Sequence, residues 1–438
     1  MSEAHLIRLR RIEIDGLFGI YDHRIDLDRE DRVTILHGPN GVGKTHTLGM
    51  ANALLTGDIG YFRRVPCREC RLTFANGAVT LSIEPDRKRG QLALAHEGKS
   101  HRKEIPLRTE SKDRPRGLTS PPHVLSPTPS FEELREGGSS RRRQLGHLLA
   151  ANLKLPPWFQ SFLEDVRIHF IETHRLALSG ADRDAWSGPW SRAWLDPPAN
   201  RESPLPTVVE RSREFTELFR ETMANYGHQA QRLDQTFPQR LVEAKADNDN
   251  EEIRRRMAAL KSETDQLKCL GILDETSDQP SHPLDEQTEF DDTEARVMAL
   301  YVDDTERKLS ALADLAERVR SLLDSLNGKY RHKRLRVDRD DGLVAETDSG
   351  QRVPLDSLSS GEQHELVLHY DLLFRVRENT IVLIDEPELS LHVAWQKRFL
   401  PDLLHFAKLS SFDAVVATHS PYIIGERDDL MVGLCDHL

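Results

Sequence analysis

Gly38-Pro39-Asn40-Gly41-Val42-Gly43-Lys44-Thr45 follows the apolar run Val33-Thr34-Ile35-Leu36 and leads into Thr45–Leu55, a stretch that reads as a helix. A strand, a glycine-bearing loop ending in Lys-Thr and a helix are the local context a phosphate-binding loop needs. Gly41 and Gly43 permit a backbone that turns N–H groups inward, and the helix N-terminus adds its dipole. Lys44 offers a point charge to β- and γ-phosphates, Thr45 a hydroxyl to Mg²⁺, and Asn40 belongs to the same nucleotide-contacting set. The expected ligands are therefore ATP and Mg²⁺.

Two further strings lie more than 300 residues downstream. Ile381-Val382-Leu383-Ile384 reads as a buried strand that ends in Asp385-Glu386. Asp385, at the carboxyl edge of a central strand, is expected to hold the metal and its water. Glu386, one residue on, points into the cleft and is the candidate for polarising an attacking water. Upstream of them, Ser359, Ser360 and Gly361 open a helix from Glu362 onward, and a helix start is where hydroxyls and N–H groups can meet a γ-phosphate. His419 ends a second buried strand, Ala414–Thr418, and can reach a γ-phosphate from there.

The bulk numbers fit this picture. The chain has 438 residues, 38% hydrophobic and 30% charged, with a formal charge of −12. That length supports two or three units with a core that needs no staples. No apolar run approaches the ~18 residues of a membrane span. The first residues mix charge into their pattern and read as a strand, not a signal peptide. Four cysteines in so long a chain suggest a reducing compartment, so the expected location is cytoplasmic. An acidic total argues against bulk electrostatic binding of nucleic acid, while the runs Arg141-Arg142-Arg143 and Arg331–Arg336 leave a local basic face open. Cys67-Arg68-Glu69-Cys70 precedes a strand and not a helical tip, and reads as ordinary thiols rather than half of a zinc hook.

The expected fold class is α/β: a P-loop ATPase head with a mainly parallel sheet, antiparallel hairpins and an inserted helical arm. The expected domains are 1–180 as the N-terminal part of the head, 207–326 as the arm and 330–438 as the C-terminal part. Asn76-Gly77 and Asp341-Gly342 mark hairpins. Residues 85–143, rich in Pro, Ser, Lys and Arg, read as a mobile insertion or long loop. Val208–Glu263 and Thr293–Leu326 show helical spacing and predict two antiparallel limbs, each reaching roughly 50–80 Å if unbroken. Pro238 argues against an unbroken first limb.

Taken together, GPNGVGKT, LSSGEQ, LIDEPELSLH and ATHSP, in that order around a long insertion, resemble the ABC-type ATPases of the SMC/RecF class. More narrowly, LSSGEQHELVLHYDLLF, IVLIDEPELSLHVAWQ and ATHSPYII, with LDQTFPQRL at 233–241, are similar to bacterial AAA-type ATPases of antiphage defence. Those include PARIS- and Septu-like ATPase subunits and the ATPase half of OLD-family nucleases. The resemblance covers roughly 5–84 and 330–438. It implies a head-to-tail homodimer or larger homo-oligomer, in which Lys44, Thr45, Asp385, Glu386 and His419 of one copy meet Ser359, Ser360 and Gly361 of another across ATP. It implies that Ser390-Leu391-His392 communicates between the two sites, and that a partner effector, a nuclease or toxin, does the downstream work. His174 stands where such ATPases often carry a Gln that touches Mg²⁺. The chain ends 19 residues after His419, which leaves no room for the OLD-type nuclease domain. A repair ATPase that binds DNA directly is the alternative. Transport fits poorly, because transporter subunits keep the phosphate loop and the signature far closer together.

Overall fold

The computed structural model describes residues 8–27, 30–84, 89–96, 99–107, 155–171, 206–243, 250–274 and 290–434. The chain divides into two compact units, Met1–Arg175 with Leu368–Leu438, and Leu176–Val367.

The first unit contains β1 (Leu9–Leu17), β2 (Tyr21–Asp26), β3 (Val33–His37), α1 (Lys44–Thr56), β4 (Glu69–Phe74), β5 (Gly77–Ile83), β6 (Arg89–His96), β7 (Lys99–Pro106), α2 (Pro157–Asp165) and β8 (Arg167–Ile171). Its C-terminal part adds β12 (Thr380–Asp385), α8 (Val393–Leu409), β13 (Asp413–Thr418) and β14 (Met431–Gly433). Five strands form a parallel sheet in the order β14-β3-β13-β12-β8. Apolar runs without alternation suit strands covered on both faces, and every residue of β12 is buried. The other six strands form an antiparallel sheet, β2-β1-β4-β5-β6-β7. One core joins the two layers: Leu36, Leu48, Leu54, Ile381 and Val415 cluster with Ile12, Leu72, Val79 and Leu92.

The fold corrects the reading of 85–143 as a mobile stretch, because Arg89–His96 and Lys99–Pro106 pair as a hairpin and extend the antiparallel sheet. Leu92 and Leu94 alternate inward, as a half-buried strand requires, and Ile105 and Leu107 are also buried. Polar composition averaged over a long window hid that short alternation. The rest of the stretch, with Arg141-Arg142-Arg143, lies outside the described residues, as does His174. The first hairpin closes at Ala75-Asn76, with Gly77 opposite Phe74. Cys67 and Cys70 are buried free thiols, and burial pushes the Cys70 thiol well up.

The described residues of the second unit include the helices α3 (Thr207–Glu243), α4 (Asn250–Cys269), α5 (Asp292–Ser310) and α6 (Ala313–Asn327). A three-stranded antiparallel sheet follows, β9 (Lys333–Asp338), β10 (Gly342–Thr347) and β11 (Arg352–Val353). The chain then enters α7 (Ser360–Tyr370), inside which it passes to the first unit. The first limb expected over 208–263 is described as two helices, α3 and α4, but Pro238 itself lies inside the 37 residues of α3. A proline removes one N–H from the ladder and crowds the preceding turn. Here the Arg240 guanidinium donates to the Leu233 carbonyl at 2.8 Å, just before the crowded turn, and also pairs with Asp304 of α5.

Candidate functional site: a phosphate loop facing a carboxylate–histidine cluster

The loop after β3 takes the shape its glycines allow. Gly41 and Gly43 have φ of 96° and 92°, the left-handed region that side chains disfavour. A Cβ on Gly43 would sit 2.5 Å from Leu17 Cδ2. Gly43 is also the N-cap of α1 and carries no side-chain cap, so the first N–H groups of that helix are open to an anion. The buried Lys44 ammonium curls over the loop and donates to the carbonyls of Gly38 (2.8 Å) and Pro39 (3.1 Å). Asn40 and Gly41 are exposed at the rim. His23 of β2, unnoticed in the sequence, is buried and donates from Nε2 to the Val42 carbonyl at 2.8 Å, bracing the loop from the antiparallel sheet.

Asp385 ends β12, and its Oδ1 accepts a hydrogen bond from Thr45 Oγ1 at 3.0 Å. A hydroxyl and a buried carboxylate side by side are the hard oxygen donors that Mg²⁺ takes. With an uncapped helix start and a lysine beside it, these residues fit a magnesium-bound polyphosphate.

Glu386 sits at φ 46°, a left-handed turn that breaks the strand direction. Its carboxylate contacts His419 Nδ1, which also lies 3.0 Å from Glu388 Oε1. Burial raises the Glu386 carboxyl, and the negative charge of Glu388 raises it further, against the opposing pull of His419 and Lys44. A carboxylate raised in this way is a better proton acceptor near neutrality. Ligand atoms of Glu386, Glu388 and His419 all lie within 4.8 Å of one another. Glu388 is the participant that sequence reasoning missed, although it stands two residues after Glu386 in the same string.

Ser359, Ser360 and Gly361 lie in the second unit. Ser359 and Ser360 are exposed at the start of α7. Ser359 and Glu362 form a reciprocal cap: the Ser359 N–H donates to Glu362 Oε2 (2.8 Å) and the Glu362 N–H to Ser359 Oγ (3.3 Å). The S-x-x-E spacing is that of a capping box. Burial raises the Glu362 carboxyl, but donors from Lys333 and Ser359 outweigh it and hold the group below its usual range. Below the cap, Lys329 and Glu365 form an ion pair of 2.5 Å with both side chains fully buried. The basic run at 331–336 is partly consumed in such pairs, Lys333 with Glu362 and Arg336 with Glu346 and Asp338. His392 caps α8 by accepting from the Ala394 N–H.

The parallel sheet with its phosphate loop and terminal Asp-Glu pair defines a P-loop α/β head. Residues 267–425 match the family model described as "AAA domain, putative AbiEii toxin, Type IV TA system". Among solved structures, an Smc head domain with an extended coiled coil from Pyrococcus furiosus, bound to the C-terminal domain of ScpA, is 13% identical. It matches over 98% of this chain and 94% of its own, with a TM-score of 0.36. The SMC head domain from Thermotoga maritima is 12% identical over 98% and 94%, with a TM-score of 0.33. No curated protein sequence matches the chain. Among the described residues no helix is long and apolar enough to cross a membrane.

Proposed function

We propose that the chain is an ATPase whose copies engage head to tail and pass nucleotide state to a partner effector in antiphage defence. The observation that carries the reading is the meeting, in one unit, of Lys44, Thr45 and Asp385 with the Glu386–His419 pair. In this reading the α1 N-terminus and Lys44 bind the phosphates, and Thr45 and Asp385 hold the metal. Magnesium, when bound, would offset charge on the phosphate oxygens. Glu386 accepts a proton from water, and His419 keeps that carboxylate oriented. The match of residues 267–425 to an AAA domain supports the ATPase, and the toxin in that family's description supports an effector-linked role.

The exposed Ser360 at the start of α7 supports completion of the site in trans, because it offers a hydroxyl at a helix start beside the Ser359–Glu362 cap. Lys44→Ala and Ser360→Arg should each abolish turnover. Mixing the two inactive chains should restore about a quarter of wild-type activity, since half of the random pairs contain one intact composite site of two. No recovery on mixing, with ATP still bound by the Ser360→Arg chain, would refute completion in trans.

A further inference from the structure

The carboxylate of Glu388 lies outside the phosphate loop, and one of its oxygens accepts three hydrogen bonds. It follows Pro387 in a single helical turn after β12, and its side chain is 4% exposed. Oε1 accepts from Thr418 Oγ1 at 2.5 Å, from the His419 N–H at 2.9 Å and from the Ser420 N–H at 3.1 Å. The same oxygen lies 3.0 Å from the His419 ring nitrogen Nδ1. One buried carboxylate oxygen thus gathers a hydroxyl and two backbone N–H groups of the turn at the end of β13.

Burying a carboxylate is costly unless donors surround it, so this carboxylate and this turn hold each other in place. A second clamp runs alongside: Gln396 of α8 donates to the carbonyls of Glu388 (3.4 Å) and Leu391 (3.1 Å) and accepts from Ser420 Oγ (2.8 Å). The loop that carries Glu386 and the turn that carries His419 are therefore cross-linked twice, by side chains that themselves sit on rigid elements. His419 is exposed on its other face, and its Nδ1 is shared between Glu386 and Glu388. A ring held at Nδ1 presents Nε2 outward, in one orientation.

We propose that Glu388 is a positioning residue for hydrolysis, fixing the His419 backbone and ring so that Glu386 and His419 act as one preformed pair. The proposal rests on the ATPase reading above. Its reach is narrow and specific: Glu388 should affect the chemical step and leave nucleotide affinity alone, because none of its partners belongs to the phosphate loop. Small losses of orientation at reacting groups cost about 10- to 100-fold in rate.

Two substitutions separate the parts. Glu388→Ala removes the acceptor for the turn and the charge beside the ring. Glu388→Gln keeps a carbonyl oxygen for Thr418 Oγ1 and the two amides but removes the charge facing Nδ1. Amide hydrogen exchange of the nucleotide-free chain reads the turn, and steady-state ATP hydrolysis reads kcat and KM. Expected for Glu388→Ala are faster exchange at His419 and Ser420, a kcat lower by about 10- to 100-fold and an unchanged KM for ATP. Expected for Glu388→Gln are wild-type exchange and an intermediate kcat. Wild-type kcat in Glu388→Gln, or a rise in KM matching the fall in kcat, overturns the proposal. If Glu388→Ala does not fold, the Gln variant alone decides by the same criterion. A wild-type chain without ATP turnover would sink the ATPase reading instead, and the exchange measurement, made without nucleotide, would still report on the Glu388 clamp.

Discussion

Replacing Lys329 with Met should destabilise the second unit more than any other single change to a charged residue there. Lys329 follows α6, and its ammonium meets Glu365 of α7 at 2.5 Å with neither side chain exposed. The neighbouring Tyr330 hydroxyl donates to the Glu362 carbonyl, so this pair lies under the Ser359–Glu362 cap. Methionine fills nearly the same volume but removes the ammonium that Glu365 meets. Breaking one side of a buried pair costs about 3–5 kcal/mol. The unit spans Leu176–Val367, and an unfolding entropy of about 2.1 cal/mol/K per residue gives it about 0.4 kcal/mol/K, so its Tm should fall by about 7–12 °C. Calorimetry of the full chain measures this, and Lys329→Met with Glu365→Met should recover most of the loss, since an apolar pair avoids both desolvation costs. A single-variant Tm within about 2 °C of wild type would refute the reasoning, because a loss under 1 kcal/mol is what a solvated surface pair gives.

Other outcomes follow from the same structure. Gly43→Ala forces a side chain into φ 92° and against Leu17, so it should weaken binding of a fluorescent ATP analogue by about 5- to 30-fold, as a strain of about 1–2 kcal/mol implies. Glu362 has its carboxyl held low in the folded state, so its contribution is present above the ordinary value of 4.5 and is lost as pH falls through the depressed folded value. Urea unfolding of wild type and Glu362→Gln should therefore differ most near neutrality and converge in acid; a gap that widens on acidification contradicts the cap. Pro238→Ala should raise the stability of α3 by roughly 1–3 kcal/mol, measured by the same unfolding, if the proline imposes its usual helix-interior cost.

Much of the site was legible because its chemistry is local in sequence. The glycines, Lys44 and Thr45 lie in one loop, and an apolar strand ending in two acids announces Asp385 and Glu386 without knowledge of neighbours. The register that brings Asp385 opposite Ala417 was not legible, since a parallel pairing leaves no local turn signal. Glu388 and His23 were passed over for a related reason. Each acts on a segment far along the chain, Glu388 on the turn at 418–420 and His23 on Val42, and only folding joins them. The strands at 89–106 were obscured by charged residues on their solvent face, while only Leu92, Leu94 and Ile105 carried the inward apolar signal. Pro238 shows the converse: a strong local rule yielded to tertiary support from Arg240 and Asp304.

The central claim, that Glu386 performs hydrolysis at a site assembled by Lys44, Thr45 and Asp385, is tested most directly by Glu386→Gln. Radiolabelled ATP binding and phosphate release, measured on the same preparation with Mg²⁺, should show wild-type affinity with release reduced by at least about 100-fold, the scale of a lost general base. Light scattering of that variant should show a larger ATP-bound species. Phosphate release at the wild-type rate from Glu386→Gln would contradict the account.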